Sequence, residues 1–157
     1  MTGETVIAVP APEIRVELPG GFVVDTDRGR LDLERVHHWL STDAYWALGR
    51  SRDFVERAAA ASVNFGVYGP DGAQVGYARV VTDGVAFGWL CDVYVAREVR
   101  GRGLGVALSR TVVETFRRLR LKRLMLITPD AHDLYAEVGF VSFPDPEKLM
   151  VLGPADR

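Results

Sequence analysis

Lysine is nearly missing from this chain: of its 19 basic residues only Lys122 and Lys148 are lysines, and the rest are arginines. Alanine, valine and glycine are abundant, so the imbalance reads as genome composition, not as a binding surface. Charge of one sign is not in excess either. The basic residues face 21 acidic ones, the formal net charge is −2, and the pI is near 5.9. That balance argues against a nucleic-acid partner, whose binding domains are normally basic. Cysteine occurs once, as Cys91, which excludes an internal disulfide and agrees with a reducing, cytoplasmic setting. No apolar run approaches the length of a membrane span, so no membrane partner is expected. Nothing repeats at a fixed period, and Met1–Pro12 lacks the basic-then-apolar order of a signal peptide.

What is there is enough apolar material for a full core: 48% of 157 residues are hydrophobic. The expected organisation is a flexible segment over 1–12 followed by one domain over 13–157. Ile14, Val16 and Leu18 alternate as a strand, and Pro19-Gly20-Gly21 turns into a second strand at Phe22–Val24. Leu33, Val36 and Leu40 recur at helical spacing over Leu31–Leu40. Ser41-Thr42-Asp43 offers caps for a further helical piece carrying Tyr45 and Trp46, which Gly49 interrupts. Ser51 caps a helix over Arg52–Ala61 with Phe54, Val55 and Ala58 on one face. A hairpin follows, Ser62–Tyr68 and Gln74–Thr82, joined by Pro70-Asp71-Gly72. Val85–Val95 is a long strand with Gly88 as a candidate bulge. Gly103–Leu119 is a helix and Arg123–Ile127 a buried strand, so the two strands flanking that helix form a parallel βαβ unit. A short helix over Ala131–Val138 ends at Gly139, and Phe140–Phe143 and Leu149–Leu152 read as closing strands. The fold class is α+β, a mixed and mostly antiparallel sheet with a central parallel strand pair flanked by helices.

The stretch from Val93 to Gly105 carries the chemistry. An apolar strand (Val93-Tyr94-Val95) runs through a polar loop into a turn with Gly101, Gly103 and Gly105, and a helix starts at once. Glycines let bare backbone N–H groups approach a ligand. A helix N-terminus adds unpaired donors and partial positive charge, and Arg100 and Arg102 add full charges. Together these suit a phosphate or pyrophosphate. A Walker loop is excluded because Val106 and Ala107, not Lys and Ser or Thr, follow Gly105. A dinucleotide fingerprint is excluded because its third small position falls on Val106 or Leu108, and no acidic strand end follows at the required distance.

A third pattern fits. Arg100-x-x-Gly103-x-Gly105 after a Val-Tyr-Val strand resembles the acyl-CoA pyrophosphate loop of the GNAT superfamily of N-acetyltransferases, [RQ]-x-x-G-x-[GA]. Downstream, Ala131, Tyr135, Gly139 and Phe140 match the A-x-x-x-Y-x-x-x-G-F segment that closes the CoA site in that superfamily. The resemblance is strong from about Phe65 to Phe140 and weak before it. It implies a GNAT-like fold and direct transfer of an acetyl group from acetyl-CoA, a co-substrate, to an amine. No metal is implied.

The resemblance also assigns residues. Arg100, Gly101, Arg102, Gly103, Leu104 and Gly105 would grip the pyrophosphate. Val93, Tyr94 and Val95 would lie on a strand that splays from its parallel neighbour, pairing with the pantetheine arm and offering one N–H as oxyanion donor. Tyr135 would be the general acid for the departing thiolate, since a phenol near pKa 10 can serve a thiol of about 8.5. Its alternative is a tyrosine packed beneath the sheet. Thr128 stands where many relatives carry an asparagine that bonds the pantetheine; Asp130 or His132 could take over. Tyr45, Trp46 and Arg50 would wall the acceptor pocket, or else pack in the core.

From the residues themselves, Asp92 is a charge inside an apolar strand, which is costly unless paired or functional. It is the first choice for a general base, with a structural pair to Arg79 as the alternative and Asp83 and His132 as runners-up. Cys91 as a covalent nucleophile is disfavoured, since lone strand cysteines mostly pack. His37 and His38 diverge around their helix and do not suggest a metal pair. The expected partners are a small-molecule amine or a peptide, and the resemblance allows a homodimer. The rival readings are a non-catalytic acyl-CoA-binding or regulatory module on the same fold and a nucleotide-binding protein.

Overall fold

The structure, a computed structural model, describes residues 11–153, so the expected flexible segment lies outside the described residues except for its last two positions. Strands β1 (Arg15–Glu17), β2 (Val23–Asp25), β3 (Val63–Tyr68), β4 (Gln74–Thr82), β5 (Phe87–Val95) and β6 (Arg123–Met125) form one six-stranded sheet in chain order. The first four neighbour pairs are antiparallel, and only β5 and β6 run parallel. Helix α3 (Leu104–Arg118) makes that parallel crossover. The α+β class, the hairpins and the βαβ unit are therefore as the sequence predicts.

Helices α1 (Leu33–Thr42) and α2 (Arg52–Ala60) begin where side-chain caps supply an acceptor. Asp32 accepts the Arg35 N–H at 3.0 Å, and Ser51 accepts the Phe54 N–H at 3.1 Å. Strand register assigns the two faces of the sheet. Phe65 pairs with Ala78, and Phe116 of α3 packs on Phe65 with ring centroids 6.3 Å apart. Tyr94 pairs with Tyr77, on the opposite face, and stacks on Trp39 of α1 at 5.3 Å. The apolar stripe of α3 thus covers one face and Trp39 lies on the other, and the core between them includes Val24, Val36, Leu40, Val67, Val80, Leu108 and Val112.

Four expectations at the level of elements fail. Residues 43–50 are turns, not a helix, because Asp43 closes α1 through its N–H to Trp39 O and Gly49 adopts φ of 76°. The buried face of α2 is Val55 and Ala59; Phe54 points outward beneath the Arg50 guanidinium, 4.9 Å from its ring centroid. The bulge is not at Gly88. Gly88 is instead a close-approach position, where a Cβ would come within 2.9 Å of Leu124 Cδ1. Finally, Phe140–Phe143 and Leu149–Leu152 form no strands; Met150, Val151 and Leu152 are almost fully exposed, and β6 is left as the edge of the sheet. The predicted C′ glycine does appear, since Gly139 has φ of 102° just after helix α4 (His132–Glu137). No described helix is long and apolar enough to cross a membrane.

Candidate functional site

Strands β5 and β6 pair from Phe87↔Arg123 to Trp89↔Met125 and no further. Beyond that point β5 continues to Val95 while the other chain leaves through Leu126–Thr128. Between them opens a cleft of about 900 Å³. Its walls include Leu90–Val93 and Val95 on one side and Leu126–Ala131, Leu134 and Tyr135 on the other. The splay expected of β5 is present, and its outer backbone edge from Leu90 onward has lost its neighbour.

At one end the cleft meets the glycine turn. Gly101 and Gly103 sit at φ of 80° and 76°, which a side chain resists. Gly103 is the N-cap of α3 and no side chain caps that helix, so the first N–H groups are left for a ligand. Gly105 has an ordinary φ; a Cβ there would press within 3.2 Å of Leu134 Cδ1, so it is small to let α4 approach α3. Gly101, Gly103, Leu104, Gly105 and Arg100 line the cleft. Arg102 does not; its guanidinium lies 6.0 Å from the Phe22 ring centroid.

The turn is braced from the α1 side. Arg100 Nε donates to Val95 O at 2.9 Å and its Nη2 reaches Asp43 Oδ2 at 3.4 Å. Tyr94 Oη donates to Asp43 Oδ2 at 2.6 Å, and Arg97 Nε donates to Asp43 at 3.0 Å. The bonds from Arg97 and Tyr94 hold the Asp43 carboxyl well below the usual carboxylate range. Burial, reinforced by that carboxylate, pushes Tyr94 up to about 12. The Tyr94 side chain is thus turned away from the cleft, and only its backbone can serve the role expected of it.

Asp92 has φ of 54°, rare for a residue with a side chain, and it sits where the β4–β5 register slips between Tyr77 and Arg79. This is the bulge, displaced from Gly88. The side chain is 2% exposed and its carboxylate fully engaged. Arg79 Nε donates to Oδ2 at 2.6 Å, Arg50 Nη1 to Oδ1 at 2.8 Å, and Trp46 Nε1 to Oδ1 at 3.0 Å. Burial alone would raise its pKa, but Arg79 and then Arg50 outweigh it and the net shift is downward. A carboxylate so held is a poor proton acceptor. Its geometry is that of the structural pair with Arg79, extended by Arg50 and Trp46. His37 Nε2–H donates to Arg50 O at 2.9 Å and steadies the same loop. Tyr45 and Trp46 both line the cleft, edge to face at 5.0 Å.

Tyr135 is half-buried in α4, edge-on to Phe140 at 5.8 Å, and burial pushes it up to about 12, with Tyr45 and Asp130 adding to the shift. Thr128 Oγ1 accepts the Ala131 N–H at 3.0 Å and so caps the turn into α4 while its residue lines the cleft. The runners-up for a base lie elsewhere: Asp83 accepts N–H groups of Val85, Ala86 and Phe87 in the β4–β5 turn, and His132 is exposed and outside the cleft. Burial pushes the Cys91 thiol up to about 11, so no thiolate nucleophile forms near neutrality. Among the described residues no group of three His, Cys, Asp or Glu side chains could hold a metal ion.

Asp43, Trp89 and Leu134 were not singled out by the sequence as site residues. Asp43 was visible only as a helix cap, and its contacts with Tyr94 and Arg97 span the fold. Trp89 carried a weak signal, as a large aromatic on the strand that leads into the glycine turn.

Comparison with known proteins agrees with this geometry. The model of the acetyltransferase (GNAT) family matches residues 33–140. A Gibberella zeae protein that carries an acetyltransferase name, FG08082, is 32% identical over 137 residues, covering 75% of this chain and 77% of its own. The crystal structure of a protein assigned to the GNAT acetyltransferases from Xanthomonas campestris is 40% identical, with TM-score 0.78, covering 85% of this chain and 93% of that one. Spermidine N-acetyltransferase from Vibrio cholerae, solved with CoA and spermine, shares the fold at 21% identity and TM-score 0.59, over 77% of this chain and 81% of that one.

Proposed function

The chain belongs to the acetyltransferase (GNAT) family, and on that premise we propose that it is an enzyme moving an acetyl group from acetyl-CoA to the amine of an acceptor, by direct transfer. One observation carries the reading: the diverging β5 and β6 enclose a cleft that ends on the uncapped, glycine-lined N-terminus of α3. A pyrophosphate suits those N–H groups and the helix dipole, with Arg100 beside them. The extended pantetheine arm suits the unpaired edge of β5 around Val93 and Val95. An N–H of that edge would face the thioester oxygen as charge develops there.

Tyr135 is the residue assigned to the leaving sulfur. Its raised pKa keeps the phenol protonated throughout the neutral range, so it can donate to the thiolate as the C–S bond breaks. Asp92 is reassigned from base to positioning residue. It ties Trp46 and Arg50 to the bulge and so fixes the loop that walls the acceptor side. The amine then loses its proton to solvent before it attacks.

The test is a thermal-shift series with CoA, acetyl-CoA and longer acyl-CoA esters, followed by thiol release over a panel of amines. Acetyl-CoA is expected to raise the melting temperature, as any ligand specific for the native state must. No shift with any CoA ester would overturn the reading. A shift with acetyl-CoA but no turnover on any amine or peptide would favour the non-catalytic module.

A further inference from the structure

The acceptor end of the cleft holds an uneven inventory of charge. Among the described residues lining the cleft the carboxylates are Asp92 and Asp130. Asp92 is spent on Arg79, Arg50 and Trp46. Two guanidiniums against that one carboxylate leave surplus positive charge on the β5 wall. Asp130 is different. It is exposed, it lies in the turn between β6 and α4, and it makes no ion pair among the described residues. After burial, its charge and a hydrogen bond to it raise the Tyr45 phenol, and burial, then Tyr45, then Asp130 raise Tyr135.

Around it the wall is aromatic. Tyr45 and Trp46 are exposed, and Trp89 lines the strand side. Flat aromatic faces in the same cleft as a carboxylate without an ion-pair partner suit one ammonium carried on an apolar body, with the cation over an aromatic ring and its N–H groups on the carboxylate. A polyamine is a poor match. Its second ammonium would find no unpaired carboxylate and would meet Arg50, which lines the cleft.

Resting on the acetyl-transfer reading above, we propose that the acceptor is a primary monoamine with an aryl-sized apolar body, and that Asp130 is its ammonium anchor. Asp130 receives the acceptor as its ammonium; the proton then passes to solvent, and the neutral amine attacks the thioester carbonyl.

Tryptophan fluorescence tests this without any turnover, since Trp46 and Trp89 line the site. Titration of 2-phenylethylamine into the full chain, with and without acetyl-CoA, is expected to quench saturably. Asp130→Asn should weaken that binding about tenfold or more, the scale of one charge-assisted hydrogen bond. Asp130→Glu, which keeps the charge, should stay within about threefold. Spermidine should bind at least about tenfold more weakly than 2-phenylethylamine. A far-UV circular dichroism spectrum and a ligand-free melting transition like the parent's show that Asp130→Asn is folded. No saturable quenching, equal affinity in Asp130→Asn, or tighter binding of spermidine would each overturn the proposal. Loss of the acetyl-CoA shift in the parent protein would instead overturn the acetyl-transfer reading, and the amine titration separates the two.

Discussion

The two ends of the cleft are built in opposite ways. The glycine turn is exposed and made of backbone: positive φ at Gly101 and Gly103, bare N–H groups, and an arginine that braces the turn. The Asp92 node is buried and made of side chains brought from Trp46, Arg50, Arg79 and the bulge itself. A backbone site must present a ligand with fixed dipoles, so it tolerates changes of neighbouring side chains and not of glycine. A side-chain node depends on each buried charge keeping its partner, so it fails when the shared carboxylate goes.

The comparison can be broken at several points. The largest effect is expected between the two ends, at Tyr135. Tyr135→Phe should lower kcat about 100-fold or more in steady-state thiol release, with KM for acetyl-CoA nearly unchanged. Loss in KM alone would return Tyr135 to a packing role. Next comes the node. Asp92→Asn removes one charge from a buried set and should cost about 3 kcal/mol by denaturant titration. If stability held and only kcat fell, with the parent's acid limb lost from the pH profile, Asp92 would again be the base. The turn should respond more sharply in binding than in stability. Gly103→Val forces a branched side chain to positive φ at a cost of about 1–2 kcal/mol, and the acetyl-CoA thermal shift should vanish. Arg102→Ala, whose parent side chain leans on Phe22, should change the acetyl-CoA Kd less than threefold. A larger loss with Arg102→Ala than with Gly103→Val would reverse the backbone-versus-side-chain distinction.

The smallest effect is in pH. Tyr94 and Tyr135 rise from about 10 in the unfolded chain to about 12 in the fold. A raised pKa means the folded state holds the proton more tightly, so their contribution is intact below pH 10 and is lost as pH climbs through 12. Asp92 runs the other way: its lowered pKa stabilises the fold above about pH 3.9 and that share is lost as pH falls further. Tyrosinate absorbance against melting temperature checks the first, and acid denaturation of Asp92→Asn the second.

The backbone end was legible in the sequence because its parts are adjacent: a strand, two arginines and glycines within one short stretch, with Tyr135 at a recognisable spacing downstream. The fold was legible for the same reason, since hairpins and the βαβ crossover follow local periodicity. The node was half legible. Asp92 stood out as a charge in an apolar strand, and Arg79 could be named as its mate. Trp46 and Arg50 could be placed near the acceptor but not on Asp92, because that contact depends on a bulge and a loop that no local pattern encodes. The closing strands were misread since alternating apolar residues at Leu149–Leu152 carry strand propensity without a partner to pair with.

Strand order has a kinetic consequence. Every antiparallel neighbour in the sheet is also the next strand in the chain, so those pairs close over short separations or the α1–α2 insertion. The β5–β6 pair alone waits for α3 to form and fold back across the sheet, and it carries three residue pairings, as few as β1–β2 and β2–β3. Contacts that require the packing of a whole helix form late, and the shortest ladders open first under native conditions. Amide exchange should therefore find its fastest strand protons in the two edge strands, β6 and β1. The seam expected to close last in folding is the one proposed to admit the acyl donor, and fraying there would admit a long, narrow ligand without unfolding the antiparallel strands that hold Asp92 in place.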